Sequence, residues 1–243
     1  MSKDITISHP VKGIGLFSLL AVSWVSVHIY SVFFHDITVN SVVTLALILI
    51  QCWLYTGLFI CAHDAMHGTL APKNPRLNDL MGRVILFIYA GFHFSKMKHA
   101  HMDHHKYPGT EKDPDFNADN PREFWPWYYK FFMTYFGVVQ FLTLFGFTVI
   151  YLLFGARYEN TIIMWALPAI LSSIQLFYFG TYLTHRQADD FPDHHNARTN
   201  DFPRWLSFLT CFHFGYHHEH HLYPSVPWWG LPRCKDKHEK RPS

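Results

Sequence analysis

The chain has 243 residues, 49% of them hydrophobic and 18% aromatic but only 16% charged, against roughly a quarter charged in an average soluble domain. That composition excludes an intrinsically disordered chain, and a formal net charge of +2 drawn from 20 cations and 18 anions gives no basic footprint for nucleic acid. Nineteen histidines, nearly as many as Lys and Arg together, point towards metal chemistry.

In chain order, Met1 to Gly13 carries polar residues ahead of an apolar run that is too long for a signal-peptide core and lacks a small-residue cleavage site. It reads as a retained membrane segment. A hydrocarbon core of roughly 30 Å needs about 20 helical residues at about 1.5 Å each. Four runs reach that length: Ile14 to Phe34, Val42 to Cys61, Phe131 to Phe154 and Thr161 to Thr184. Val84 to Phe94 is only about eleven residues and reads as a re-entrant or interfacial helix. The segment Ala62 to Lys130 around it is too rich in helical spacing to be disordered, and Pro121, Gly155 and Pro224 mark turns. Cys52, Cys61, Cys211 and Cys234 form no C-x-x-C pair, which argues against a zinc ribbon or disulfide framework.

The predicted fold is an all-α integral membrane protein, a single domain over residues 1–243. It has four transmembrane helices plus the re-entrant or interfacial helix, and a helical cap on the cytosolic side. With the N-terminus in the cytosol, the outer loops are His35 to Asn40 and Gly155 to Asn160, and Arg157 is the one cation of 20 that falls outside. The other 19 lie with both termini on the inner side, as the positive-inside bias of an inner, cytoplasmic membrane requires.

Three histidine boxes sit on that side. His63-Asp64-Ala65-Met66-His67 places two imidazoles at i and i+4 on one helix face. That spacing alone is weak, because 19 histidines in 243 residues yield such a pair by chance roughly 1.5 times per chain. His101-Met102-Asp103-His104-His105 and His217-His218-Glu219-His220-His221 both read H-x-x-H-H, a pattern expected roughly 0.1 times and found twice. Eight imidazoles, His63, His67, His101, His104, His105, His217, His220 and His221, exceed the four ligands of one zinc. Two iron ions suit an imidazole-rich, thiolate-free set better. His185, first after the last span, is either a ninth ligand or a snorkelling interfacial residue.

Metal-bound imidazoles donate their second N–H to carboxylates, and Asp64, Asp103, Asp113, Asp115 and Glu219 all lie beside the boxes. Asp115 is the preferred candidate for that role and for a part in catalysis. His9, His194, His195 and His238 read as surface residues, His28 and His35 as parts of a span and its outer loop, and His93 and His213 as packing or supporting groups. His99 and His218 should point off the ligand face. Phe131, Phe132, Tyr135 and Phe136 read as lipid-facing or core packing in preference to a substrate channel.

At these boxes the chain resembles the membrane fatty-acid desaturase and hydroxylase superfamily. The flanking text, His63-Asp64-Ala65-Met66-His67-Gly68, Leu70-Ala71-Pro72, Pro108-Gly109-Thr110, Asp113-Pro114-Asp115-Phe116 and His220-His221-Leu222-Tyr223-Pro224 leading to Pro227-Trp228-Trp229, is similar to the bacterial and cyanobacterial β-carotene 4-ketolase branch. The resemblance implies a non-haem di-iron centre on the eight box histidines, with His185 matching an extra histidine. Met102 departs from relatives that carry a further histidine there. It also implies dioxygen as cosubstrate, a carotenoid substrate, β-carotene, oxidised at C4 to echinenone and canthaxanthin, and an electron donor such as ferredoxin. Rival readings are a fatty-acyl desaturase or carotenoid 3-hydroxylase on the same metal centre, or a non-catalytic membrane metal-binding protein. The last would be expected to carry ionisable groups in mid-membrane.

Overall fold

Backbone amides inside hydrocarbon must find partners within their own segment, which leaves helices for a chain with these apolar runs. The computed structural model describes residues 10–187, 191 and 193–239. His9 lies outside them. α1 (Pro10–Ile29) ends in a π-helical turn, Tyr30–Phe34. α2 (Ser41–Met66) follows, its first turn capped by the Asn40 side chain, which accepts from the Val42 and Val43 amides. α3 (Pro75–Ala90) is capped by Asn74, α4 is Phe94–Lys106, α5 is Phe124–Tyr135 and α6 is Val138–Leu153. α7 (Tyr158–His185) is a 28-residue rod that contains two π-helical stretches. α8 (Arg204–Cys211), α9 (His217–Leu222) and α10 (Leu231–Glu239) complete the order. Among the described residues there is no strand, only an isolated bridge between Thr199 and Tyr216.

Three helices are long and apolar enough to cross a membrane: Val11–Phe34, Ser41–Met66 and Tyr158–His185. They contain the first, second and fourth predicted runs. The third run, Phe131 to Phe154, is corrected. Its helix breaks at Phe136 and Gly137, both in extended conformation, so that α5 and α6 meet at 78°. The Gly137 amide leaves the helical ladder and donates to the Gln140 side chain, which starts α6 afresh. With 16 residues, α6 spans about 24 Å and is too short to cross alone. The chain has a fourth crossing only if the bent pair counts as one span.

The expected short helix Val84 to Phe94 is also corrected. Its first part is the second half of α3, and Phe94 already begins α4. Gly91 separates them at φ 69°, a left-handed cap, and a Cβ there would lie 2.8 Å from Thr143, so glycine is required twice over. α3 is fixed along α2 by buried Asn78, whose side chain donates to the Ala65 carbonyl and accepts from the Ala71 amide.

α2 is the central rod. Tyr55, Ile60, Cys61 and Ala62 are fully buried among α1, α3 and α7. Gly57 lets Phe212, at the end of α8, approach so closely that a Cβ would meet its ring at 2.5 Å. All four cysteines are buried and unpaired. This packing gathers the C-terminal ends of α2 and α7 with α4 and α9 at one end of the bundle.

Candidate metal centre

The nine predicted histidines come together there in two adjacent groups. His63, His67, His101, His105 and His220 form one; His104, His185, His217 and His221 form the other, and within each group the ligand nitrogens all lie within 4.8 Å of one another. Helix geometry explains the division. Residues at i and i+4 are about 40° apart around the axis while i+3 lies on the other side of i. His101 and His105 therefore point into the first group and His104 into the second, whereas His217 and His221 point into the second and His220 into the first. Each H-x-x-H-H box thus sends one histidine across to the neighbouring group, and the groups touch, with the His105 and His221 rings 4.4 Å apart.

The donor set fits metal ions. Nε2 of His67 lies 2.7 Å from Nε2 of His101; the His101–His105, His105–His220 and His217–His221 Nε2 pairs lie at 3.2, 3.0 and 3.2 Å. Metal–nitrogen bonds of about 2.0–2.1 Å place neighbouring ligands about 2.9 Å apart in octahedral and about 3.3 Å apart in tetrahedral geometry. Nε2 of His63 and of His185 are buried with no hydrogen-bond partner among the described residues, a cost that a bound cation removes. Burial pushes the His67 pKa down to about 3 and that of His105 down to about 2, and lowers those of His101, His217, His220 and His221. Neutral imidazoles offer lone pairs to a metal without competition from protons.

His104 differs. Burial pushes its pKa down, but the Asp113 carboxylate outweighs that and holds it above the usual value. Asp113 accepts from His104 Nδ1 at 2.9 Å and from the Gly109 and Asp115 amides, each at 2.9 Å. This fixes the His104 tautomer with Nε2 free for a metal. Asp115, the sequence candidate for that role, is 3.9 Å from His104 Nδ1 and makes no such bond. It accepts instead from the Tyr135 hydroxyl, and burial pushes its pKa up to about 6. His185 Nδ1 donates to the Asn196 carbonyl at 2.7 Å. Asp64 lies 3.4 Å from His63 Nδ1 and accepts from the Trp228 amide.

The other histidines sort differently from expectation in places. His99 is exposed beside Asp103, and His218 bonds Asp193 at 3.0 Å, both off the ligand face as expected. His93 is exposed at the start of α4 and supports nothing in the site. His213 bonds Ser207 and stacks on Tyr216. His194 and His195 make a small cluster with Asp193. The His238 side chain lies outside the described residues.

A cavity of about 420 Å³ opens from both groups, reaching His63 and His101 of the first and His104 and His217 of the second. Asp115, Phe131, Phe132, Tyr135 and Phe136 line it, so these aromatics form a channel wall where sequence reasoning favoured packing. Phe131, Phe132 and Tyr135 lie on α5, which the break at Phe136–Gly137 sets at 78° to α6, and no sequence period announces that bend. Phe214 was also missed. It lies between the groups, with its ring 4.5 Å from His63 and 4.7 Å from His217, and Gly180 makes room for it.

The fatty acid desaturase family model matches residues 39–158 and 135–242. The chain is similar to a β-carotene ketolase of Paracoccus sp. strain N81106, with 47% identity over 88% of each chain. It is similar to a β-carotene ketolase of Paracoccus sp. strain PC1, with 44% identity over 95% of each. A zeaxanthin 4-ketolase of Chlamydomonas reinhardtii is 37% identical over 92% of this chain and 53% of its own length.

Proposed function

The chain belongs to the fatty acid desaturase family and, within it, to the β-carotene ketolases, and from that premise we propose that its nine clustered histidines hold two iron ions for dioxygen-dependent oxidation at C4 of β-ionone rings. β-Carotene is converted to ketocarotenoids, through echinenone to canthaxanthin. The observation that carries this reading is one apolar cavity with both histidine groups at its end. Bound iron would supply the activation of dioxygen, which no side chain provides.

The residues supply placement. Asp113, the Asn196 carbonyl and Asp64 orient His104, His185 and His63. The aromatic walls take up an all-hydrocarbon substrate and hold one ring against the histidines, away from water. Two hydroxylations at one carbon give a geminal diol, which loses water to a ketone. Asp115 and Tyr135, a hydrogen-bonded pair on the cavity wall beside His104, are our candidates for handling the proton in that loss. In a four-crossing topology that takes α5 and α6 as one bent span, Lys130 lies within the span and Arg157 is the one cation on the outer side, a bias that supports an inner-membrane protein with its histidine end in the cytoplasm. There a soluble electron donor such as ferredoxin can reach it.

Expression in a host that accumulates β-carotene tests the reading. Aerated cells should form 4-keto products whose absorption is shifted to the red. Products hydroxylated only at C3, or new double bonds in host lipids with carotenoid unchanged, would reassign the reaction to a hydroxylase or a desaturase.

A further inference from the structure

The cavity does not end near the histidines. Its wall follows α7 from Thr181, beside the centre, to Thr161 and Tyr158 at the other end of the rod. That is 20 residues between the two threonines, or about 30 Å along the axis. Between the ends the wall is mostly aromatic and aliphatic, and its Ser173 hydroxyl is engaged by Tyr128 at 3.1 Å. At the far end three hydroxyl side chains, Thr148, Tyr158 and Thr161, line the same space. Thr148 donates to the Leu144 carbonyl at 2.9 Å and Thr161 to the Tyr158 carbonyl at 2.7 Å, so each hydroxyl proton is engaged and each oxygen keeps lone pairs with which to accept. The Tyr158 hydroxyl can donate or accept.

We propose that this far end is a second ring subsite that recognises an oxygenated ring while the opposite ring is being oxidised. The argument rests on the ketolase reading. A substrate with identical rings at both ends of a rigid polyene presents one ring at a time to the histidines. Oxidation of the second ring therefore requires the molecule to turn round, which places the new oxygen at the far end. An apolar far end would leave that carbonyl unpaired, whereas Tyr158 can donate to it. A far ring that carries a hydroxyl group would instead donate to Thr148 or Thr161.

The test uses the full-length protein in membranes and the variants Tyr158→Phe and Thr148→Val. Two readouts are taken: turnover of echinenone against β-carotene, and equilibrium binding of canthaxanthin against β-carotene without reductant. Tyr158→Phe should lower echinenone turnover and canthaxanthin binding about fivefold relative to β-carotene, the size of one neutral hydrogen bond. Thr148→Val should act in the same sense on a carotenoid that bears one hydroxylated ring. Equal changes for plain and oxygenated substrates, or no change for either, overturn the subsite. If the unaltered protein forms no ketone from β-carotene, the ketolase reading fails and the subsite falls with it.

Discussion

Replacing Asp113 by Asn tests which carboxylate orients the proposed metal ligands. Asp113 is buried, and its two oxygens serve three donors: His104 Nδ1–H, the Gly109 amide and the Asp115 amide. An Asn side chain keeps one oxygen. If that oxygen faces the Asp115 amide, the new NH₂ meets the Gly109 N–H at 2.9 Å, donor against donor; if it is flipped, the NH₂ meets the Asp115 N–H at 2.9 Å, and in both cases His104 Nδ1–H, 2.9 and 3.0 Å from the two carboxylate oxygens, keeps one acceptor and faces an NH₂ at the other. Either way one buried donor loses its partner, at a cost of about 1–3 kcal/mol. Changes in the groups that orient metal-bound imidazoles lower metal affinity by about 10–100-fold, or about 1.4–2.7 kcal/mol, which agrees. Metal content of purified protein, measured by mass spectrometry across a chelator series, reads this directly. Asp113→Asn should lose the ion of the four-histidine group at about 10–100-fold lower chelator concentration than the unaltered protein. Asp115→Asn, 3.9 Å from His104, should keep its metal and lose turnover. Full metal retention in Asp113→Asn together with loss in Asp115→Asn would refute the assignment.

His104→Ala and His220→Ala, one from each group, should each abolish turnover and lower bound iron, while exposed His99→Ala should do neither; zinc without iron in active protein would overturn the di-iron proposal. Gly180→Ala puts a Cβ 2.6 Å from the Phe214 ring, so we expect about 1–3 kcal/mol of destabilisation and reduced turnover as Phe214 is driven against His63 and His217. A lower Tm that Phe214→Leu restores checks this. Because burial depresses the His67 and His105 pKa values to about 3 and 2, the folded chain stays neutral at these sites below pH 6.5 while the unfolded chain takes up protons. Stability of the metal-free protein should therefore fall between pH 6.5 and about 3; tryptophan fluorescence melts that stay level from pH 7 to 4 would contradict it. Cysteines introduced at Asn40 and Glu159 should react with an impermeant thiol reagent from outside the cell and one at Glu111 should not, the native cysteines being buried. The reverse pattern would invert the topology.

The clustering of the nine histidines was legible because metal chemistry confined to helices repeats its residue types at i, i+3 and i+4, and such repeats are rare by chance. How the histidines divide was implicit in the same spacing, since 100° per residue sends His104 and His220 away from their neighbours. What orients them was not legible. His185 is held by the carbonyl of Asn196, a backbone group that every residue possesses, and the choice between Asp113 and Asp115 depends on a turn whose direction two carboxylates separated by one proline do not reveal. The apolar run from Phe131 also misled. Hydropathy sums over Gly137 without registering that a glycine following an extended phenylalanine can end one helix and begin another.

α6 contains no buried residue, yet it contributes Leu144 and Thr148 to the cavity wall. If the helix lies in the bilayer, the site is bounded there by a partition thin enough for acyl chains to be its outer solvent. A carotenoid that arrives from that side passes between two apolar phases, so dehydration contributes almost nothing to its capture. Selectivity then depends on the fit of a rigid polyene against aromatic rings, in competition with lipid tails that fill the same space at far higher abundance. Apparent affinity should accordingly scale with the mole fraction of carotenoid in the membrane and not with its bulk concentration, and lipids that order the bilayer should compete less well for the site.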